Sequence, residues 1–223
     1  MSAADQLPLP FAHHPEFAAA DLVAAPANAA ARAWLDRTAD WPEGRLALWG
    51  AEGAGKTHLL HLWAARRGAA LCAGVGLAAL EAATLPAGGL AIDEADSVPE
   101  AQRFLHLLNA ARARRLPVLL AARAAPARWA VALPDLASRL RATMAVPIGP
   151  ADDALLAALL ARLLADRQLD IAEPVRLWLL RHAPRSPGAL REAVARLDRA
   201  SLGRGGGITR ALAAEVLAEL EAG

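Results

Sequence analysis

The stretch Arg45-Leu46-Ala47-Leu48-Trp49-Gly50-Ala51-Glu52-Gly53-Ala54-Gly55-Lys56-Thr57 decides how this chain folds. Its first five residues form a largely apolar run of strand length, and His58 to Ala65 reads as a helix. Between them, Gly50 to Thr57 fits the pattern G-x-x-x-x-G-K-[ST]. A glycine-rich turn between a buried strand and a helix start aims backbone N–H groups and a positive helix end at one point. That geometry binds phosphate. Lys56 is placed to reach the β- and γ-phosphates of a nucleotide, and Thr57 to set its hydroxyl on Mg²⁺. The candidate nucleotide contacts are Gly50, Ala51, Glu52, Gly53, Ala54, Gly55, Lys56 and Thr57, followed by His58.

Downstream, short apolar runs without alternation are separated by helical patterns, which implies parallel strands covered on both faces. The spacing predicts helix 57–66, a strand near 69–73, strand 89–92, helix 99–114, strand 117–121, a helix around 134–141 and strand 142–148. Upstream, 28–35 reads as a helix with Asn28 as its cap. Right-handed crossovers turn such a series into an α/β doubly wound parallel sheet. From Ala151 onward only helical patterns remain, at 151–166, 173–183, 187–201 and 209–221. Asp152, Asp153, Pro174 and Thr209 mark helix starts. The expected domains are a flexible tail (1–16), a nucleotide-binding α/β domain (17–149) and a small all-α lid (150–223).

At 223 residues the chain suits one α/β domain plus a small companion. A formal net charge of +1 gives no global field toward nucleic acid. The single Cys72 forms no intrachain disulfide, no secretory signal is visible, and the apolar runs are too short to span a bilayer. The expected setting is the cytoplasm, with no membrane partner. Trp49, Trp63 and Cys72 are expected in the core. His58 and His61 lack a third metal ligand and read as structural, and Arg112, Arg114 and Arg115 read as a solvated helix end in preference to a patch for DNA.

Leu90-Ala91-Ile92-Asp93-Glu94 is an apolar strand ending in two carboxylates, downstream of Lys56 with a helix and another strand between. Beside a phosphate loop, Asp93 would help hold Mg²⁺, and Glu94 would polarise an attacking water. The phosphate loop, the Asp-Glu strand, a late arginine and an appended helical lid together resemble the AAA+ ATPases. Gly-Lys-Thr-His-Leu-Leu at 55–60 and Leu-Pro-Asp-Leu-Ala-Ser-Arg-Leu at 133–140 resemble the DnaA-type initiators, especially their homologous regulators of the Hda type.

That resemblance, from about residue 6 to 220, implies further roles. Arg139 would be an arginine finger reaching ATP bound by a neighbouring subunit, a device that accelerates hydrolysis by roughly 10³–10⁵. The likeness of 188–197 to the clamp-loader sensor segment makes Arg191 the lid residue that senses the phosphates, whereas alignment on DnaA would put that role nearer Gly188. ADP or ATP with Mg²⁺ is the implied cofactor. Gln6-Leu7-Pro8-Leu9-Pro10-Phe11 is a Pro-stiffened apolar peptide suited to docking in a groove. It resembles the motif that binds the DNA polymerase III β sliding clamp, with Gln6 as polar anchor, Leu9 and Phe11 filling the pocket, and Leu7 and Pro10 beside them. The implied partners are that clamp and DnaA, with DNA reached only through the clamp, and a homo-oligomer remains open.

Two departures from the family pattern matter. Ala121-Ala122 and Arg123 stand where AAA+ proteins place a polar residue that orients water, so slow intrinsic hydrolysis is expected. No helix-turn-helix follows the lid, so initiator sites would not be read as DnaA reads them. The rival readings are a self-sufficient ATPase or helicase loader of the DnaC/IstB type, and a silent scaffold that uses nucleotide only for stability.

Overall fold

The computed structural model describes residues 22–204 and 207–222 and divides into two compact units between Ala151 and Asp152. The first unit is built on five parallel strands: β1 (Arg45–Trp49), β2 (Ala70–Ala73), β3 (Leu90–Asp93), β4 (Val118–Ala122) and β5 (Met144–Pro147). They lie in the order β2-β3-β4-β1-β5, with Leu46 opposite Leu119 on one side and Met144 on the other. The phosphate-loop strand is thus next to the edge, and the Asp93 strand lies two places away. Four helices complete the unit: α1 (Pro26–Asp36), α2 (Lys56–Arg67), α3 (Ala101–Ala113) and α4 (Pro134–Arg141).

The strand residues alternate between two separate cores, as the period of two requires. Leu46 and Leu48 of β1 pack with Leu59, Leu60 and Trp63 of α2 and Ala31 of α1. Ala47, Ile92 and Leu120 point the other way, onto Phe104 and Leu107 of α3 and Leu136 and Leu140 of α4. Both faces of the inner strands β1, β3 and β4 are therefore buried, which is why they read as continuous apolar runs. This is the α/β doubly wound arrangement expected from the sequence.

The start of α1 differs from expectation. Asn28 is not its cap: the helix begins at Pro26, whose fixed φ suits a first helical position. Asn28 lies two residues further on and reaches back, its Oδ1 accepting from the Ala25 N–H at 3.1 Å while its Nδ2 donates to Val23 O at 2.9 Å. Trp63 is buried as expected, whereas Trp49 and Cys72 are only half-buried.

Cys72 packs against the α3 side of the sheet, and burial pushes its thiol up to about 11. Its thiolate fraction near pH 8 is then about 100-fold lower than for a thiol titrating two units below. Alkylation of the native protein by iodoacetamide is expected to be slower than that of the urea-unfolded chain by at least that factor. Because the folded state holds the proton more tightly, this group's contribution to stability falls as pH rises from 9 toward 11.

The second unit consists of α5 (Asp153–Asp166), α6 (Glu173–His182), α7 (Pro187–Arg204) and α8 (Arg210–Ala222). Its core is leucine-rich: Leu156, Leu159, Leu160, Leu179, Leu190, Leu197 and Leu217 are buried with Val194 and Val216. Asp152 caps α5 by accepting from the Leu155 N–H at 2.7 Å, and Thr209 caps α8 through Leu212 N at 3.3 Å. Among the described residues, no helix is long and apolar enough to cross a membrane.

Candidate nucleotide site

The candidate site begins where β1 ends. Gly50 donates its N–H to Ala122 O at 3.3 Å and lies against β5's end so closely that a Cβ there would stand 2.7 Å from Ile148 O. Only glycine lets the chain turn over the sheet at this point. The loop then passes through left-handed backbone at Gly53 (φ 72°) and Gly55 (φ 98°), and α2 starts at Lys56. The first intrahelical bond is donated by Leu59 to Gly55 O, so the N–H groups of Lys56, Thr57 and His58 precede the helical ladder. His58 is buried in the first turn of α2, 3% exposed.

Lys56 is 9% exposed, and its ammonium donates to Gly50 O at 2.9 Å and to Ala51 O at 2.7 Å. Burial lowers its pKa, while the charges of Asp93, Asp96 and Glu52 resist that shift. The ammonium is thus folded back on its own loop, held by carbonyls that a phosphate oxygen can outbid as an acceptor for a cation. Thr57 donates its hydroxyl to Asp93 Oδ2 at 2.7 Å, joining the phosphate loop to the end of β3. These two oxygens are the hard donor set that Mg²⁺ takes when most of its shell is water and phosphate. The loop and the pair fit a nucleotide with its metal ion: Lys56 and the α2 N–H groups would hold phosphate oxygens, and Thr57 and Asp93 the cation. Mg²⁺ supplies charge neutralisation at the phosphates when bound.

Glu94 follows at φ 48°, ψ 43°, an exposed non-glycine residue in the left-handed region. Such strain concentrates at working sites. The conformation is held locally: Glu94 N donates to Asp93 Oδ1 at 2.9 Å, and Ser97 Oγ donates to Glu94 O at 2.7 Å. Gly74, at the exit of β2, closes this arrangement from the other side, since a Cβ there would meet Glu94 O at 2.4 Å. Gly74→Ala is therefore expected to displace Glu94 and lower nucleotide hydrolysis about tenfold or more while nucleotide affinity stays within about threefold. A hydrolysis assay beside a nucleotide titration checks this.

Sequence reasoning missed Gly74, Asp96 and the engagement of Arg123. Arg123, just past β4, donates its N–H to Asp96 Oδ2 at 3.1 Å and pairs its guanidinium with Glu52 of the phosphate loop at 3.2 Å. The Asp-Glu-Ala-Asp run at 93–96 carried a signal for Asp96; nothing local marked Gly74.

Arg139 stands elsewhere. It occupies the last turn of α4, half-buried, with its Nε buried and lacking an acceptor. Its charge acts on Arg45, the first residue of β1, and its carbonyl accepts from Thr143 Oγ1 at 2.9 Å. Thr143 Oγ1 in turn accepts from Arg45 Nε at 3.4 Å. Arg45 is 3% exposed, and burial lowers its pKa, Glu43 opposing and Arg139 and Arg112 adding to the shift. Since the phosphate loop leaves the far end of β1, a strand length of about 13 Å separates this arginine cluster from the loop. The structure therefore brings Lys56, Thr57, Asp93 and Glu94 together and leaves Arg139 near Arg45, at the other end of β1. Arg191 lies on α7 in the helical unit. Gln6, Leu7, Leu9, Pro10 and Phe11 fall outside the described residues.

No protein-family model matches the chain, and no curated protein matches it. Solved structures do. Domain III of the Thermotoga maritima replication initiation protein DnaA superposes with a TM-score of 0.75 at 16% identity, over 92% of this chain and 97% of that one. AMPPCP-bound DnaA from Aquifex aeolicus gives 0.68 at 17% identity, over 86% and 67% respectively. The Thermotoga maritima RuvB Holliday junction branch migration motor gives 0.58 at 16% identity, over 77% and 60%. Likeness at such identity is one of architecture, and the architecture is a DnaA-like AAA+ fold, a five-stranded parallel sheet with helices followed by a helical part.

Proposed function

We propose that this chain is a nucleotide-binding AAA+ regulator of replication initiation that completes a hydrolytic pocket on another protein. In this reading the peptide at 6–11 tethers it to the β sliding clamp and raises its local concentration near initiator on the same DNA. ADP or ATP with Mg²⁺ occupies the loop from Gly50 to Thr57. Arg139 is presented to ATP bound by DnaA and promotes its hydrolysis, which switches the initiator off.

The position of Arg139 supports this most directly. Arg139 acts electrostatically on Arg45, at the end of β1 remote from the phosphate loop, a position that suits a site other than that loop. Its guanidinium makes no hydrogen bond or ion pair among the described residues, and Arg45 beside it repels it electrostatically. A cation so placed suits an anion delivered from outside. The end of β4 carries only Ala121 and Ala122, which have no polar side chain to orient water, and the Arg123 guanidinium that follows pairs with Glu52. That fits a chain whose own hydrolysis is slow.

The test is hydrolysis of DnaA-bound ATP with and without clamp-loaded DNA. Addition of this protein is expected to stimulate hydrolysis only when the loaded clamp is present. Replacing Gln6, Leu9 and Phe11 by alanine should remove clamp binding while nucleotide affinity stays unchanged. Stimulation equal with and without clamp would refute the tethering role.

A further inference from the structure

A basic groove crosses the end of the sheet domain opposite the phosphate loop. Between the C-terminal halves of α1 and α2 is a cavity of about 550 Å³ bordered by Arg32, Arg37, Arg66 and Arg67, with Asp36 as its only carboxylate among the described residues. A second cavity of about 430 Å³ continues from it past the shared Thr38, Ala39 and Arg67 to Arg112 and Arg115, with Glu43. Six arginines thus face two carboxylates. The whole chain carries a formal charge of only +1, so outside these eight residues it is net acidic.

The two carboxylates are each taken by one arginine, Asp36 by Arg66 at 3.4 Å and Glu43 by Arg112 at 2.9 Å. Two of the remaining arginines are held by the same device. Arg37 donates its Nε to Ala33 O at 3.3 Å and lies 4.9 Å over the Trp34 ring. Arg67 donates its Nε to Gly88 O at 3.1 Å and lies 5.7 Å over the Trp63 ring. In each, the backbone bond and the ring fix the plane of the guanidinium and leave its terminal amino groups uncommitted among the described residues. A fixed guanidinium fork matches two phosphate oxygens and loses little freedom on binding. Arg114, by contrast, spends its fork on the carbonyls of Ala82, Ala83 and Leu85 and takes no part.

We propose that this groove binds the phosphodiester backbone of nucleic acid directly and without sequence preference, with Arg37 and Arg67 as its anchoring forks. The solvated helix end expected at 112–115 thereby acquires a partner. The inference stands apart from the role given to Arg139, because it needs no partner protein and no hydrolysis.

Fluorescence anisotropy of the full chain with labelled 20-nucleotide duplex and single-stranded probes tests it across a salt series. For about four neutralised phosphates the log–log slope should be about −3.6 on duplex and about −2.8 on single strands, which tells the two forms apart. Replacing both Arg37 and Arg67 by alanine should flatten the slope by about 2 and weaken low-salt binding at least about tenfold. Lysine at both positions should keep the slope and still lose affinity, since charge remains and the fork does not. Unchanged binding of fluorescent ADP reports that the variants fold. Arg32→Ala, which breaks neither tryptophan contact, should flatten the slope by about 1 and decides the matter if the double variant does not fold. Absence of binding at 50 mM salt, or slopes indifferent to these arginines, would overturn the proposal. Polyglutamate binding as tightly as the oligonucleotides would also overturn it, in favour of an acidic protein face.

Discussion

Replacing Arg139 with alanine is expected to abolish stimulated hydrolysis of DnaA-bound ATP, a loss of about 10³-fold or more, while leaving this chain's own nucleotide and clamp binding intact. The size follows from what a guanidinium does at a transferring phosphoryl group: it neutralises charge that develops only in the transition state. The selectivity follows from where the residue lies. Arg139 sits toward the opposite end of β1 from the loop that starts at Gly50, and among the described residues its guanidinium gives no hydrogen bond. Stability should barely change, because the substitution removes a half-buried cation with an unsatisfied Nε and relieves its repulsion of Arg45. Two measurements separate this from a folding defect: a thermal midpoint at or above that of the parent, and an unaltered ADP affinity. Full stimulation by the alanine variant would refute the finger, and parallel loss of nucleotide affinity would reassign Arg139 to this chain's own site.

What the sequence made legible follows from what is local. Strands buried on both faces read as unbroken apolar runs, so β1, β3 and β4 lie where periodicity put them, and α5, α6 and α8 follow their start signals at Asp152, Pro174 and Thr209. The phosphate loop was equally plain, since its glycines, lysine and threonine are consecutive. The misreading of Asn28 shows the limit of local rules: a cap residue works from the third helical position as well as from outside the helix, and Pro26 fixes which. Contacts between distant segments left no trace. Nothing near Gly74 announces that the Glu94 carbonyl will lie against it, and nothing near Arg37 or Arg67 announces that two helix ends will set them along one groove. Such features arise from the order β2-β3-β4-β1-β5 and the helix ends it gathers, and they become visible only in three dimensions.

Exchange of Lys56 for methionine should separate binding from stability. The ammonium makes two hydrogen bonds to loop carbonyls, worth about 1 kcal/mol each net, and their loss leaves Gly50 O without that donor. Against this stands the cost of a buried cation, seen in the lowered pKa of Lys56. The two effects oppose, so the unliganded protein should change in stability by no more than about 1 kcal/mol. Nucleotide binding has no such compensation, because methionine offers nothing to a phosphate oxygen. A lost charge-assisted contact to the phosphates corresponds to about 2–4 kcal/mol, a weakening of about 30- to 1,000-fold for ADP or ATP. The pH dependence has a definite sign. The folded pKa lies below the 10.5 of free lysine, so the unfolded chain holds the proton more tightly. The cost of burying the charge is present at neutral pH and fades as pH rises through the folded value toward 10.5. Parent stability should therefore gain on that of the methionine variant as pH climbs through the alkaline range, read by urea titration at several pH values. A variant that keeps parental ADP affinity would remove Lys56 from the phosphate site, and the loop from Gly50 to Thr57 with it.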